Sequence, residues 1–519
     1  MIGRMSLKPS KLLKNKIYPL STSSFSPSPS PPRLTLEHLW PLTVLVGVFS
    51  FTSTHPIRPQ DFWWHIAIGR SILQTGAIPT VDTYSFTALG QPYASYQMFW
   101  LPETALYGLY TSGGPALVVF VYSLLITAAY ALLLLLGWQI TRNWRAATVS
   151  VLLAAAVGIN DWNVRPQGIT FLLGALLMMA IHWMRTTRRS WGLLIPPLCL
   201  AIWANSHGAF PLGLALIGVW LLQECWDSVR QRRRTPALHL AALSLALAIL
   251  ACLFNPRGVG IFSYVSGMTA NPVIQNMVPE WAPPRLATLG GKLFYFGLLC
   301  SVLIVLPSAR RLTLEKFLIW SAFAVLGLRT ARGSVWFGLA TAPIVAEHLS
   351  ILLAQRRGQG EHPLSPRVAR LMNTLLLGFL VLLTFLSIPW FKALLPLPQV
   401  KAGLISQETP IAATEFLLRQ HLPGRLFHTM SFGSYLAWAA QPDYPVFVDS
   451  RIELYPLSVW QDYLAIGSAQ PGWQERLARY EIEILFLSPS EHAALIRAAQ
   501  ESGWQPVYID RAAAILTKP

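Results

Sequence analysis

Apolar runs of roughly 17–22 residues dominate this chain, the length at which one helix crosses the hydrocarbon of a bilayer. The first is Leu39–Thr54, and others recur near 113–140, 146–160, 168–184, 191–205, 209–226, 237–254, 293–307, 313–328, 334–353 and 371–391. Composition agrees: 53% of the 519 residues are hydrophobic and 12% charged, where a soluble protein carries about 25% charged residues. The expected fold class is a polytopic α-helical membrane protein of about eleven transmembrane helices. A small extracytoplasmic α/β domain follows at its C-terminus.

The charges between the runs set a topology. Basic clusters occur at Arg142/Arg145, Arg185/Arg188/Arg189, Arg230/Arg232/Arg233/Arg234, Arg310/Arg311 and Arg356/Arg357/Arg367/Arg370. With a cytoplasmic N-terminus, every cluster falls on the cytoplasmic side, as the positive-inside bias requires. Loops 55–112, 161–167, 206–208, 255–292 and 329–333, and everything after about 392, are then external. The expectation is a multi-pass protein of the inner or plasma membrane. The net charge of +17 follows from this loop bias and contact with the lipid bilayer, so no nucleic-acid partner is implied. Cys199, Cys225, Cys252 and Cys300 show neither metal-ligand spacing nor a disulfide framework.

Three regions result. Residues 1–36 are basic, then Ser/Pro-rich, and read as a disordered cytoplasmic tail. Residues 37–392 form the membrane domain with long external loops 55–112 and 255–292; within the first, 94–111 carries Pro102 and Glu103 and reads as an interfacial or re-entrant helix. Residues 393–519 have the composition of a soluble domain. Thr409-Pro410 opens a helix there by N-cap and first-turn proline. Strands are expected at 425–429, 445–449, 482–487 and 506–509, alternating with helices near 432–440, 457–467, 473–480 and 490–502. That alternation implies a largely parallel sheet with a final edge hairpin.

The chemistry-bearing residues gather in the external segments. Asp61 and His65, in Asp61-Phe-Trp-Trp-His65, share one helix face just outside the membrane. There Asp61 can act as a general base, help bind a metal, or start a helix at Pro59-Gln60-Asp61. Trp63 and Trp64 read as anchors at the lipid interface. Asp82 lies in the turn Pro79-Thr-Val-Asp82-Thr-Tyr-Ser85, and Tyr96, Gln97, Trp100 and Glu103 follow with groups suited to a sugar ring. Arg165, Arg257, Arg329 and Arg332 are external cations that run against the positive-inside bias. They suit a lipid phosphate, or pairing with Asp161, Glu280 or headgroups. His207 sits at another external helix end, lining a cavity or ending the helix. In the C-terminal domain, Asp449 and Arg451 end a strand where α/β domains bind ligands, or pair with each other to close the loop. The sequence has no Walker A loop, G-x-G-x-x-G, H-E-x-x-H or paired C-x-x-C. ATP-driven transport, dinucleotide chemistry and zinc proteolysis therefore have no support.

This layout resembles the GT-C superfamily of integral-membrane glycosyltransferases, among them the RgtA/B/C/D-like sugar transferases. The resemblance is carried by an acidic residue, Asp61, in the first external loop just after helix one, by about eight to thirteen helices and by an external C-terminal domain. The stretches Asp61-Phe-Trp-Trp-His65, Gly69, Gly76-Ala-Ile-Pro79 and Asp82-Thr-Tyr-Ser85, together with Asn255-Pro-Arg-Gly258, Glu280-Trp281 and Phe447-Val-Asp-Ser-Arg451, also resemble a set of uncharacterised bacterial membrane proteins grouped with these enzymes. Two features depart from the pattern: Asp61 is followed by Phe62 where many first loops have an acidic pair, and there is no W-W-D-Y-G motif. The resemblance implies transfer of a sugar from a polyprenyl-phosphate donor to an external glycan, lipid or protein acceptor. It places Asp61 where the family's catalytic acidic residue stands, to deprotonate or orient the acceptor hydroxyl, and assigns Arg257, Arg329 and Arg332 to the departing phosphate. Asp82, His65 and Glu280 would serve acceptor binding or a divalent cation. That cation, Mg or Mn, is the cofactor left open, with Asp61 and Asp82 as its ligands. A transporter or flippase, or a non-catalytic assembly or sensing protein, is the competing class. Almost no ionisable residue lies inside the spans and no internal repeat is visible, which disfavours transport.

Overall fold

In the computed structural model, which describes residues 36–187, 190–355 and 366–518, every expected apolar run is helical. The tail expected over 1–36 lies, except for Leu36, outside the described residues, as do Arg188, Arg189, Arg356 and Arg357. The helices are α1 (Leu36–Ser53), α2 (Asp61–Thr75), α3 (Tyr96–Thr141), α4 (Trp144–Gly158), α5 (Gly168–Thr187), α6 (Ile195–Ala204) and α7 (Phe210–Arg230). They continue as α8 (Leu238–Cys252), α9 (Gly260–Ala270), α10 (Pro272–Met277), α11 (Leu289–Val305), α12 (Leu314–Arg329), α13 (Ala331–Gln355) and α14 (Pro366–Ser387).

Among the described residues, six helices are long and apolar enough to cross a membrane: Tyr96–Thr141, Gly168–Thr187, Phe210–Arg230, Leu289–Arg311, Ala331–Gln355 and Arg367–Ser387. The other five runs form helices of 10 to 18 residues, α1, α4, α6, α8 and α12. The chain is a multi-pass helical membrane protein. Lipid is as apolar as leucine, so helices in it associate through close packing of small residues. The α4–α13 contact shows this, with buried Ala146, Ala147, Ala154 and Ala155 facing buried Gly338, Ala342 and Ala346.

Helix α3 is two helices joined at a kink. Gly114 has φ 64°, left-handed backbone that glycine adopts without strain, and Pro115 has no N–H to continue the ladder. Beyond the kink, Ile126, Tyr130 and Leu133 join the core of the bundle. Before it, Leu106 of the half carrying Glu103 joins Phe62, Trp63, Ile66 and Tyr435 in a second core, which Val118 and Val119 enter from beyond the kink. Helix α2 crosses this half at Gly69, where an added Cβ would stand 2.1 Å from the Glu103 carbonyl oxygen. Only glycine lets the two backbones approach so closely.

The C-terminal domain contains α15 (Gln399–Ala402), α16 (Ile411–Gln420), α17 (Met430–Ala439), α18 (Leu457–Gly467), α19 (Trp473–Arg479) and α20 (Ala493–Glu501). Its strands are β1 (Arg425–His428), β2 (Ile482–Leu487), β3 (Gln505–Ile509) and β4 (Ala514–Thr517), in the order β1-β2-β4-β3. Only β1 and β2 are parallel; β2–β4 and β3–β4 are antiparallel, the latter pair being the expected hairpin. The sheet is thus not largely parallel. Residues 445–449 are not one of its strands: Val446 forms an isolated bridge with Ser85 of the first long loop. Thr409 does not cap α16, which begins at Ile411 after Pro410.

That bridge belongs to a wider seam. Phe86 N donates to Val446 O at 3.1 Å and Val446 N to Tyr84 O at 2.9 Å. Thr87 Oγ1 donates to Phe447 O. Buried Trp64, Ile68, Tyr84 and Tyr96 share one apolar core with Phe427, Phe447, Leu485 and Ile515. At its centre Arg451, 1% exposed, pairs with Asp449 (Nη2–Oδ2 2.6 Å) and Asp82, and donates to Tyr96 Oη. Burial would raise the Asp82 carboxyl, but the Arg451 guanidinium and Ser85 hydrogen bonds hold it below its ordinary range.

Removing one member of such a buried ion cluster leaves the others uncompensated, at a cost of about 3–5 kcal/mol. Arg451→Met is expected to lower stability by about that much. Limited proteolysis should then release the C-terminal domain from the bundle, and wild-type resistance in the variant would show that the seam does not depend on the cluster.

Candidate active site

Helix α2 starts at Asp61, with Gln60 as its cap residue, so the carboxylate stands at the helix mouth and His65 follows one turn later on the same face. Both line a cavity of about 340 Å³ with Gln60, Arg165, Glu280 and Arg332. Four chain segments meet there through charge. Arg165 Nε lies 3.0 Å from Asp61 Oδ2, its Nη1 2.9 Å from Glu280 Oε1, and its Nη2 3.2 Å from Gln60 Oε1. Glu280 Oε2 in turn takes Arg332 Nε at 2.6 Å. Burial would raise the Glu280 carboxyl, but the two guanidiniums bring it down to about 2. Arg332 makes no hydrogen bond through its Nη groups among the described residues, so those donors remain for a ligand.

A second cavity of about 430 Å³ adjoins the first, lined by Phe171, Phe262, Val265, Leu326 and Trp336 among others. Gln167, His207, Met268, Trp281 and Arg332 line both. His207 Nδ1 accepts a hydrogen bond from Ala209 N at 3.1 Å. Burial, followed by the charges of Arg332 and Arg165, pulls His207 down to about 3, so its ring is neutral with the proton on Nε2. The site therefore has a polar chamber, an apolar chamber, and a neck between them carrying an arginine and a hydrogen-bond donor.

His65 sits at the base of the polar chamber, its ring 3.6 Å from that of Trp64 and 5.3 Å from that of Phe99. Its Nδ1 lies 2.9 Å from Oε1 of fully buried Glu103. The two tryptophans are not interface anchors: Trp63 is fully buried against Tyr435, and Trp64 forms a wall of the cavity. Their large apolar rings are used to pack α2 against the C-terminal domain.

Of the residues singled out from the sequence, Asp61, His65, Arg165, His207, Glu280 and Arg332 converge on these two cavities. Glu103 stands behind His65. Asp82, Asp449 and Arg451 form the buried cluster of the seam. Arg257 donates to Gln97 Oε1 at 3.0 Å and lies over the Tyr264 ring, away from both linings. Arg329, on the last turn of α12, is exposed and lines neither. Glu453 enters the site unforeseen, and so does the place of Asp161, expected only as a pairing partner of the external arginines. Glu453 lines the polar chamber from the C-terminal domain and accepts from Tyr93 and Ser95, each at 2.9 Å. Its only sequence signal is its place two residues after Arg451. Asp161 lines the apolar chamber, where burial and then the Glu280 charge push its carboxyl up to about 7.

These donors do not fit a divalent cation. Asp61 and Glu280 are both engaged by Arg165, and Asp82 is taken by Arg451. No group of three or more His, Cys, Asp or Glu side chains suited to a metal occurs among the described residues.

No protein-family profile and no curated protein sequence matches the chain. Solved structures do. The Archaeoglobus fulgidus oligosaccharyltransferase AglB, in complex with an inhibitory peptide and a dolichol-phosphate, aligns over 86% of this chain and 69% of its own, with TM-score 0.53 and 10% identity. The same organism's oligosaccharyltransferase in complex with Zn and sulfate aligns over 86% and 68%, with TM-score 0.50 and 12% identity. The mycobacterial arabinofuranosyltransferase AftD aligns over 93% of this chain and 40% of its own, with TM-score 0.52 and 14% identity. These are GT-C glycosyltransferases, and the chain has their fold.

The Glu280 pairings carry a pH signature. Its folded pKa of about 2 lies below the ordinary 4.5, so the stabilisation is complete above the ordinary value and fades as pH falls from there through about 2. Melting temperature in detergent is expected to drop across that window, less steeply in Glu280→Gln. Identical acid slopes for the two proteins would remove the ion chain as a source of stability.

Proposed function

We propose that this chain, built on the GT-C fold, is a membrane glycosyltransferase that moves a sugar from a polyprenyl-phosphate-linked donor to an extracytoplasmic acceptor. The observation that carries this reading is the neck between the chambers. A donor of this kind has an apolar tail, an anionic phosphate and a polar sugar in that order, and the site offers matching surroundings in the same order. The tail would lie among Phe171, Phe262 and Trp336. The phosphate would meet the free Nη groups of Arg332 and the Nε2–H of His207, with the sugar in the chamber beside Asp61. The dolichol-phosphate bound to AglB supports the class of donor. The charge alternation of the loops supports an external position for this end of the bundle.

The reaction then needs few groups. Asp61 takes the proton of the acceptor hydroxyl as that oxygen attacks the anomeric carbon. The bond from that carbon to the phosphate oxygen breaks, and its electron pair leaves with the lipid phosphate. Arg332 and Arg165 stabilise the charge that develops. A single displacement inverts the anomeric centre. Gln60 and Glu280 hold Arg165 in place, which in turn positions Asp61 Oδ2. Arg257 and Arg329 have no part in these steps.

Transfer of radiolabelled sugar from polyprenyl-phosphate donors should be measured in liposomes. A positioned general base contributes about 10²–10⁴ in rate, so Asp61→Asn is expected to lose about that factor while retaining donor binding. Equal transfer by both proteins would remove Asp61 from the chemistry. Movement of the donor across the bilayer without covalent transfer would make the protein a flippase.

A further inference from the structure

The reaction above leaves one buried ionisable pair unused. His65 and Glu103 are both buried, and neither belongs to the chain of ion pairs around Arg165. Glu103 Oε1 meets His65 Nδ1 at 2.9 Å, while Glu103 Oε2 is buried with no hydrogen-bond partner. Among the described residues no Lys or Arg side chain pairs with Glu103. An isolated carboxylate in such a place is costly, and the group holds its proton instead. Burial, followed by the charge of Arg165, pulls His65 well down. The arrangement suits a protonated carboxyl beside a neutral imidazole. With the Glu103 O–H donated to Nδ1, the remaining ring proton is on Nε2. His65 lines the polar chamber, and Nε2 has no protein partner among the described residues.

We propose that His65 is the proton donor of this site and that Glu103 is its positioning residue, the two acting opposite Asp61 in the sugar transfer described above. Asp61 and His65 are one helical turn apart on one face of α2, about 5–6 Å between their Cβ atoms, and both line the polar chamber. As the bond to the phosphate breaks, His65 Nε2–H passes its proton to the departing phosphate oxygen. The Glu103 O–H proton moves to Nδ1 in the same step, so the ring stays neutral and the carboxylate appears on Glu103. The proton taken from the acceptor by Asp61 later returns through water to restore the pair. Two features fix the geometry: the Gly69 contact that sets α2 against the Glu103 backbone, and the Trp64 and Phe99 rings that hold the imidazole. The assignment rests on the glycosyltransferase reading.

Glu103→Gln distinguishes this role from a structural one, because an amide matches the size, charge and hydrogen bonding of a protonated carboxyl but cannot release a proton in this way. In liposomes, Glu103→Gln is expected to lower kcat by about 10²-fold with KM for the lipid donor unchanged, and His65→Gln by about 10²–10⁴. Infrared difference spectra of wild type against Glu103→Gln should show a protonated carboxyl C=O band at neutral pH. Wild-type kcat in Glu103→Gln, with Asp61→Asn inactive, would overturn this inference alone. Detection of only a carboxylate band would also overturn it. Absence of transfer by the wild type from every polyprenyl-phosphate donor would overturn the glycosyltransferase reading, and this inference with it.

Discussion

A guanidinium with no access to water must be paired, and that requirement joins the two halves of this protein. Arg451 meets Asp449 of its own domain and Asp82 of the first long loop, with Tyr96 closing the cluster. The guanidinium matches both carboxylates at this depth, and Ser85 adds hydrogen bonds to Asp82. The first loop and the C-terminal domain therefore share one apolar core. The adjoining residues Ser450, Ile452 and Glu453 become part of the cavity wall opposite Asp61. The cluster holds the wall in position and stays out of the cavity.

Within the cavity, charge is handled in two ways. Asp61, Arg165, Glu280 and Arg332 alternate in sign across four segments, which lets ionised groups exist in a partly enclosed space. Behind them His65 and Glu103 are buried and paired with each other, with no Lys or Arg side chain bonded to either among the described residues. A charged set and a proton-bearing set are thus one helical turn apart. That division suits a reaction in which a proton is removed from one oxygen and supplied to another.

Much of the fold was legible because it rests on local pattern. The apolar runs became helices, and the helices of the C-terminal domain fall close to where periodicity placed them. The errors arose where an apolar stretch had more than one use. Residues 445–449 look like a strand, but their backbone partner is the loop at Tyr84–Phe86 and not the sheet. Trp63 and Trp64 look like interface anchors, and became core because the C-terminal domain folds back over α2. Among the site residues, the arginines at odds with the topology were visible as anomalies. Nothing local separated Arg165 and Arg332, which reach the cavity, from Arg257 and Arg329, which do not.

The sequence by itself determined a polytopic helical membrane protein with an appended α/β domain, because apolar length and basic loops act residue by residue along the chain. It also marked Asp61, placed by its distance from the first apolar run. Only the tertiary structure decided which distant charges meet it. Arg165 and Glu280 are 115 residues apart and hydrogen-bonded at 2.9 Å, while Asp82 and Arg451 are 369 apart and buried together. Such pairings depend on how helices and loops pack in three dimensions, and no local pattern encodes them.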